Sequence, residues 1–258
     1  MHKLIAKIKA LQLPCYFVSP HFDDAALSAG SLMAYLSNKT QVTVINVFTK
    51  AESGPKTLSA NHLVHLTGYA SADSMYKVRQ LEDSEALSHL RLSVVNLGFT
   101  DALWRLKTNP TIMSRFLGRL MPEFLHLYPS YRLHVLSSRP VAQDKSLITN
   151  LSTSLHQIID PSQAVVFCPV GIGGHVDHTV VRLAVAEKFK PVYWQDQPYS
   201  ALTKATPPGV DLSAMTSFEF AHRLRSKKRV LNRYKSQINL LFPHGKIPFL
   251  KEKYFYAN

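Results

Sequence analysis

Cysteine is nearly absent from this chain: Cys15 and Cys168 are the only two in 258 residues. A secreted disulfide scaffold is therefore excluded. Each lies in an apolar run, the usual setting of a buried free thiol. Glycine is sparse at 10 residues, and charged residues make up 18% against 46% hydrophobic. That balance excludes collagen, coiled coil and disorder. No apolar run reaches the roughly 18 residues of a membrane span. Acidic side chains are scarce too, 17 against 30 Lys and Arg, for a net charge of +13. Such a surface favours anionic partners without dictating a fold. The N-terminal MHKLIAKIKALQLPCYFV is interrupted by Lys3, Lys7 and Lys9. It reads as a short amphipathic helix, with Leu4, Ile5, Ile8 and Leu11 on one face, rather than as a leader. The expected compartment is the cytoplasm.

Along the chain, Val- and Ile-rich segments alternate with helical patterns. LPCYFVS (13–19), QVTVINVF (41–48), LSVVNLG (92–98), AVVFCPV (164–170) and PVYW (191–194) read as strands, as does YRLHVLS (131–137). Helices are expected over 23–37, 75–90, 111–126, 145–159 and 176–189, with a long basic helix over 218–241. Residues 50–74 read as a long polar loop. The alternation predicts an α/β, Rossmann-like fold: a mostly parallel sheet with helices on both faces and its site at the strand carboxyl ends. With no linker or internal repeat, residues 1–258 read as one domain.

Two polar clusters fall at strand ends. Ser19-Pro20-His21-Phe22-Asp23-Asp24 follows the first strand, and Gly173-Gly174-His175-Val176-Asp177-His178 follows strand 164–170. Imidazole plus carboxylate, without thiolate, suits Zn²⁺ or Fe²⁺. His21 and Asp24 are three apart, as are His175 and His178, so one helical turn brings each pair to one face. Asp23 is rotated by about 100° from Asp24 on a helix. One Asp can therefore bind metal while its neighbour moves protons. Spacing alone leaves open whether His175 is a fourth ligand.

These residues resemble the LmbE-like, or PIG-L type, zinc N-deacetylases. His21-Phe22-Asp23-Asp24 is similar to that family's PHPDD signature, and His175-Val176-Asp177-His178 to its HPDH signature. Arg79-Gln80-Leu81-Glu82-Asp83 with Ala86 resembles its RRxED helix, and Leu97-Gly98-Phe99-Thr100-Asp101 its LGxxD strand end. Tyr193–Tyr199 is similar to YYEDxPY, and Tyr234-Lys235-Ser236-Gln237 to YxSQ. The resemblance spans about 14–241 in consistent order. Phe22 and Val176 stand where the signatures have Pro, Ala25 and Gln195 where they have Glu.

The resemblance implies His21, Asp24 and His178 as ligands of Zn²⁺ (or Fe²⁺), with an open position for water. It implies Asp23 as general base and His175, as imidazolium, stabilising the oxyanion, with Asp177 orienting or charging His175. Arg79, Asp101, Asp196 and Tyr199 would contact substrate. The implied reaction removes an N-acetyl group from an amino-sugar (GlcNAc-type) conjugate. A metal-dependent phosphoesterase, which usually needs two metals, and a non-catalytic glycan- or lipid-binding protein are the competing classes. The 223–235 stretch holds seven cations and no acid. It suits an anionic lipid or a phosphate-bearing substrate; nucleic acid ranks last, because aromatics are not interleaved as a base-stacking platform would need. His62 and His65 read as surface residues of a loop, and Trp104 and Trp194 as packing.

Overall fold

The computed structural model describes residues 2–203, 205–242, 247–248 and 251–257. Five parallel strands carry the sheet: β1 (Cys15–Ser19), β2 (Val42–Lys50), β3 (Ser93–Thr100), β4 (Val165–Pro169) and β5 (Val192–Trp194). Two antiparallel strands, β6 (Thr216–Phe220) and β7 (Glu252–Tyr256), extend it beyond β5. The order is β3-β2-β1-β4-β5-β7-β6. Successive side chains of a strand point to opposite faces, and both faces of β1 are apolar. Cys15 and Phe17 pack with α1 (Lys3–Leu11) and α2 (Asp24–Leu36), while Val18 packs with α6 (Asp144–Ile158) and α7 (Val176–Ala186). Both cysteines are free and buried. Ile5 and Ile8 of α1 go under, whereas Leu11 stays exposed.

Chain connections run from β1 through α2 to β2, and from β4 through α7 to β5 on the other side. The loops after β1 and β4 therefore diverge at the switch point, where such sheets form a crevice.

Several expected elements differ. The 50–74 loop contains helix α3 (Leu58–Thr67), capped by Thr57 and ended by Gly68 at φ 72°. Ala60 and Val64, one turn apart, drive it by packing beside Trp104. His62 and His65 lie exposed on this helix. The next helix, α4, spans Ala72–Ser88. The 111–126 helix stops as α5 (Ile112–Leu117), before Gly118. Residues 131–137 form a turn and a 3₁₀ segment, not a strand. Tyr131 to His134 are all exposed, so no alternation drives pairing there.

The long basic helix does not form either. Phe218 and Phe220 are buried and Glu219 is exposed; this two-residue period makes β6, paired with β7. Helix α8 (Leu224–Leu231) and helix α9 (Lys235–Leu241) follow as separate pieces. Lys227 is buried against Glu252 at 3.1 Å, and Arg233 pairs with Glu85. The expected cationic stripe is thereby broken up.

Candidate active site

Local bonds fix the loop after β1. Ser19 Oγ donates to the His21 carbonyl (2.6 Å) and accepts from Ala25 N (3.0 Å). Phe48 N donates to the Pro20 carbonyl at 2.9 Å, tying the loop to β2. After β4, the chain passes close to its neighbours through Gly173 (φ 98°) and Gly174 (φ 85°). A Cβ on Gly174 would lie 2.6 Å from the Leu136 carbonyl oxygen, and one on Gly173 would lie 2.7 Å from Tyr199 Cβ. Only glycine takes both this backbone and this proximity without strain.

The loops bring His21, Asp24, His175 and His178 together. Asp24 Oδ2 lies 3.1 Å from His21 Nδ1 and 3.3 Å from His178 Nε2. The His21 ring is centred 4.8 Å from His175 and 5.8 Å from His178. Ligands about 2.0–2.1 Å from a tetrahedral Zn²⁺ stand about 3.3 Å apart. The two Asp24–His separations match that edge, and ring nitrogens of His21, His175 and His178 lie within 4.8 Å of one another, so imidazole and carboxylate donors suited to one such ion stand together.

Three further ring nitrogens have partners. His178 Nδ1 faces Asp196 Oδ1 at 2.8 Å. His21 Nε2 lies 3.3 Å from both Asp101 and Asp177. His175 Nδ1 accepts the Asp177 N–H at 3.3 Å, which puts the neutral ring's proton on Nε2. A second group, His21 with Asp101 and Asp177, has metal-like spacing. Its carboxylates are engaged: Asp101 accepts from Tyr76 and Leu103 N, and Asp177 from Arg105 and Ala102 N.

Charge follows this wiring. Against burial, Asp24 and Asp196 raise His178 to about 10. Against burial, contacts with Asp101, Asp177 and Asp24 hold His21 well above the ordinary imidazole value. Burial, and then the charge of His21, push His175 down to about 4. Burial, together with the Asp24 carboxylate next door, raises Asp23 to about 6. Asp23 is 8% exposed and caps no helix N–H with its side chain. Its carboxylate accepts no hydrogen bond from another described side chain, unlike those of Asp24, Asp101, Asp177 and Asp196.

Four expected residues sit differently in the structure. Asp196 is 1% exposed, and its oxygens bind His178, Gly171 N and Ile172 N, so it orients a histidine rather than meeting substrate. The Asp177 carboxylate turns to Arg105 and His21; only its backbone N–H reaches His175. Burial and the neighbouring His21 charge favour the neutral form of His175 over the expected imidazolium. Asp101 is buried, facing His21 and Tyr76, with little left for a ligand. Arg79 forms no ion pair with Glu82 or Asp83 and lies near enough to lower the Asp23 pKa. Tyr199 stays at the site, its ring 6.4 Å from His178.

Arg105 went unread. It is buried, with one nitrogen on Asp177 (2.5 Å) and another on Asp144 (2.9 Å), and Asp144 also accepts from Tyr128. An arginine directly after the apolar run Ala102-Leu103-Trp104 was the available signal. Tyr131, its ring 6.3 Å from His175, offered none.

Fold and site define the class, an α/β protein whose ionisable groups converge at the switch point of a mostly parallel sheet. The family described as PIG-L: GlcNAc-PI de-N-acetylase matches residues 16–189, and the chain belongs to it. The zinc-inhibited form of teicoplanin deacetylase Orf2 superposes with a TM-score of 0.70 at 24% identity, over 94% of this chain and 97% of that one. The A40926 pseudoaglycone deacetylase Dbv21 gives 0.67 at 19% identity, over 95% and 97%. These likenesses show the fold. No curated protein matches the sequence.

Proposed function

We propose that the chain hydrolyses the N-acetyl amide of an amino-sugar conjugate, releasing acetate and a free amine, with His21, Asp24 and His178 holding one Zn²⁺. The bound ion would supply Lewis acidity to the amide carbonyl and to water. Asp23 is the general base: it takes the proton of the attacking water and passes it to the leaving amine. A value near 6 suits both halves of that task. His175 points Nε2–H at the developing oxyanion. Asp196 fixes His178 with its proton on Nδ1, leaving Nε2 as the ligand atom. Arg79 and Tyr199 border this centre and contact the sugar. Among the described residues no helix is long and apolar enough to cross a membrane, and we place the reaction in the cytoplasm.

The observation carrying this reading is Asp23, whose carboxylate accepts no hydrogen bond from another side chain among the described residues, beside the His21–Asp24–His178 trio. Asp23→Asn should keep one zinc per chain while acetate release from N-acetylglucosamine conjugates falls about 10²–10⁴-fold. Undiminished release would refute the assignment. Two metals per chain would favour the phosphoesterase.

A further inference from the structure

Outside the site, exposed apolar side chains cluster in the segment around α5. Ile112 is 88% exposed and Leu120 83%, and Met113, Phe116, Met121 and Phe124 are exposed beside them. Not one residue of α5 is buried. Six large apolar side chains open to solvent within thirteen residues exceed the scattered exposure of an ordinary surface.

The patch continues toward the site. Leu58, 80% exposed at the start of α3, has its N–H bonded to Glu123 Oε1 (2.8 Å). Tyr131 N is bonded to Ser59 Oγ at 3.2 Å, and the Tyr131 ring neighbours His175. Its charge is mostly of one sign. Between residues 107 and 140 stand Lys107, Arg115, Arg119, Arg132 and Arg139 against one acid, Glu123. Arg115 and Arg119 are exposed between the apolar residues.

We propose that this face docks on an anionic lipid surface, with the α5 apolar side chains entering the headgroup–acyl boundary and Arg115 and Arg119 contacting phosphates. Apolar side chains interspersed with arginine fit an interface that is oily beneath and negative above. A second copy of this chain fits poorly, since it would bring the same cations against themselves. The inference stands apart from the deacetylase reading, because it concerns where the molecule sits and not what it cuts.

Sedimentation with vesicles tests it. Wild type should pellet with phosphatidylcholine–phosphatidylglycerol vesicles and stay in solution with phosphatidylcholine alone. Raising the salt should release it, as screening shortens the reach of the arginines. Arg115→Glu/Arg119→Glu should weaken partitioning by about fivefold or more per arginine. Phe116→Ser/Leu120→Ser should weaken it about tenfold or more. Both pairs are exposed, so the thermal midpoint should stay at the wild-type value, and Arg225→Glu/Arg229→Glu on α8 should bind as wild type. Three results overturn the proposal: no binding to the anionic vesicles, undiminished binding by the α5 variants, or a dimer in light scattering that those variants dissolve.

Discussion

At the scale of single residues, the site depends on which nitrogen of each imidazole carries the proton. His178 can offer Nε2 to a metal only while Nδ1 keeps its hydrogen, and the Asp196 carboxylate at 2.8 Å enforces that. The same carboxylate's second oxygen is held by Gly171 N and Ile172 N at 2.7 and 2.8 Å. In Asp196→Asn the one carbonyl oxygen stays with the two amides, and the new NH₂ faces His178. The ring must then accept at Nδ1 and carry its proton on Nε2. We expect zinc affinity to fall about 10–100-fold, read by competition with a chelator, with the unfolding midpoint little changed. Unaltered affinity would mean that Asp196 does not set the tautomer. His21, Asp23, Asp24, His175 and His178 were legible because they sit in two contiguous motifs at strand ends. Arg105, Tyr76 and Tyr131 were not, because each arrives singly from a segment with no pattern of its own. The role of Asp196 was misread because sequence says nothing of burial.

Among elements, two of the motifs that carry the family resemblance hold each other. Glu82 of α4 accepts Ser236 N (2.9 Å) and Ser236 Oγ (2.6 Å) at the start of α9. Its neighbour Asp83 accepts Tyr234 Oη (2.7 Å) and Asn46 Nδ2 of β2 (2.8 Å). The 79–83 and 234–237 segments are thus a clasp between a middle helix and the C-terminal helices, which residue spacing could not reveal across some 150 positions. Burial raises Asp83 to about 7 despite both hydrogen bonds. The folded state therefore favours the protonated form. Its contribution to stability is full below the unfolded carboxylate value of about 4 and is lost as pH rises through about 7. Asp83→Asn can keep both bonds, Oδ1 accepting from Asn46 and Nδ2 donating to Tyr234, without titrating. From about pH 5 to about pH 8, wild type should lose stability relative to this variant. Parallel urea midpoints across that range would show that Asp83 titrates normally.

Over the whole molecule, the parallel half was readable and the antiparallel edge was not. Strands β1, β4 and β5 are short, mostly apolar runs and β2 and β3 are rich in Val and Ile or Leu, each set between helical patterns, the mark of a mostly parallel sheet covered on both faces at its centre. β6 lies inside a basic stretch that also suits a helix, and its partner β7 comes some thirty residues later. What anchors that edge is an ion pair with no counterpart in local sequence. Glu252 of β7 is fully buried, and its oxygens accept Ser31 N (2.7 Å) and Leu32 N (3.0 Å) of α2. Lys227 of α8, 5% exposed, meets it at 3.1 Å and also donates to Gln197 Oε1 at 3.0 Å. Gly30 leaves room for the lysine stem, since a Cβ there would lie 3.1 Å from Lys227 Cγ. One cluster thus joins the second helix, the loop after β5 and the last strand. Lys227→Met keeps much of the stem's volume but strips Glu252 of its countercharge. Breaking a buried pair in this way costs about 3–5 kcal/mol. Adding Glu252→Gln removes the stranded charge and leaves an oxygen for an α2 amide, so the double variant should regain more than half of the loss, as coupled partners do. Equilibrium urea unfolding of the two single variants and the double closes the cycle. If the double variant loses the sum of the singles, the two residues are uncoupled and the sheet edge is held by packing alone.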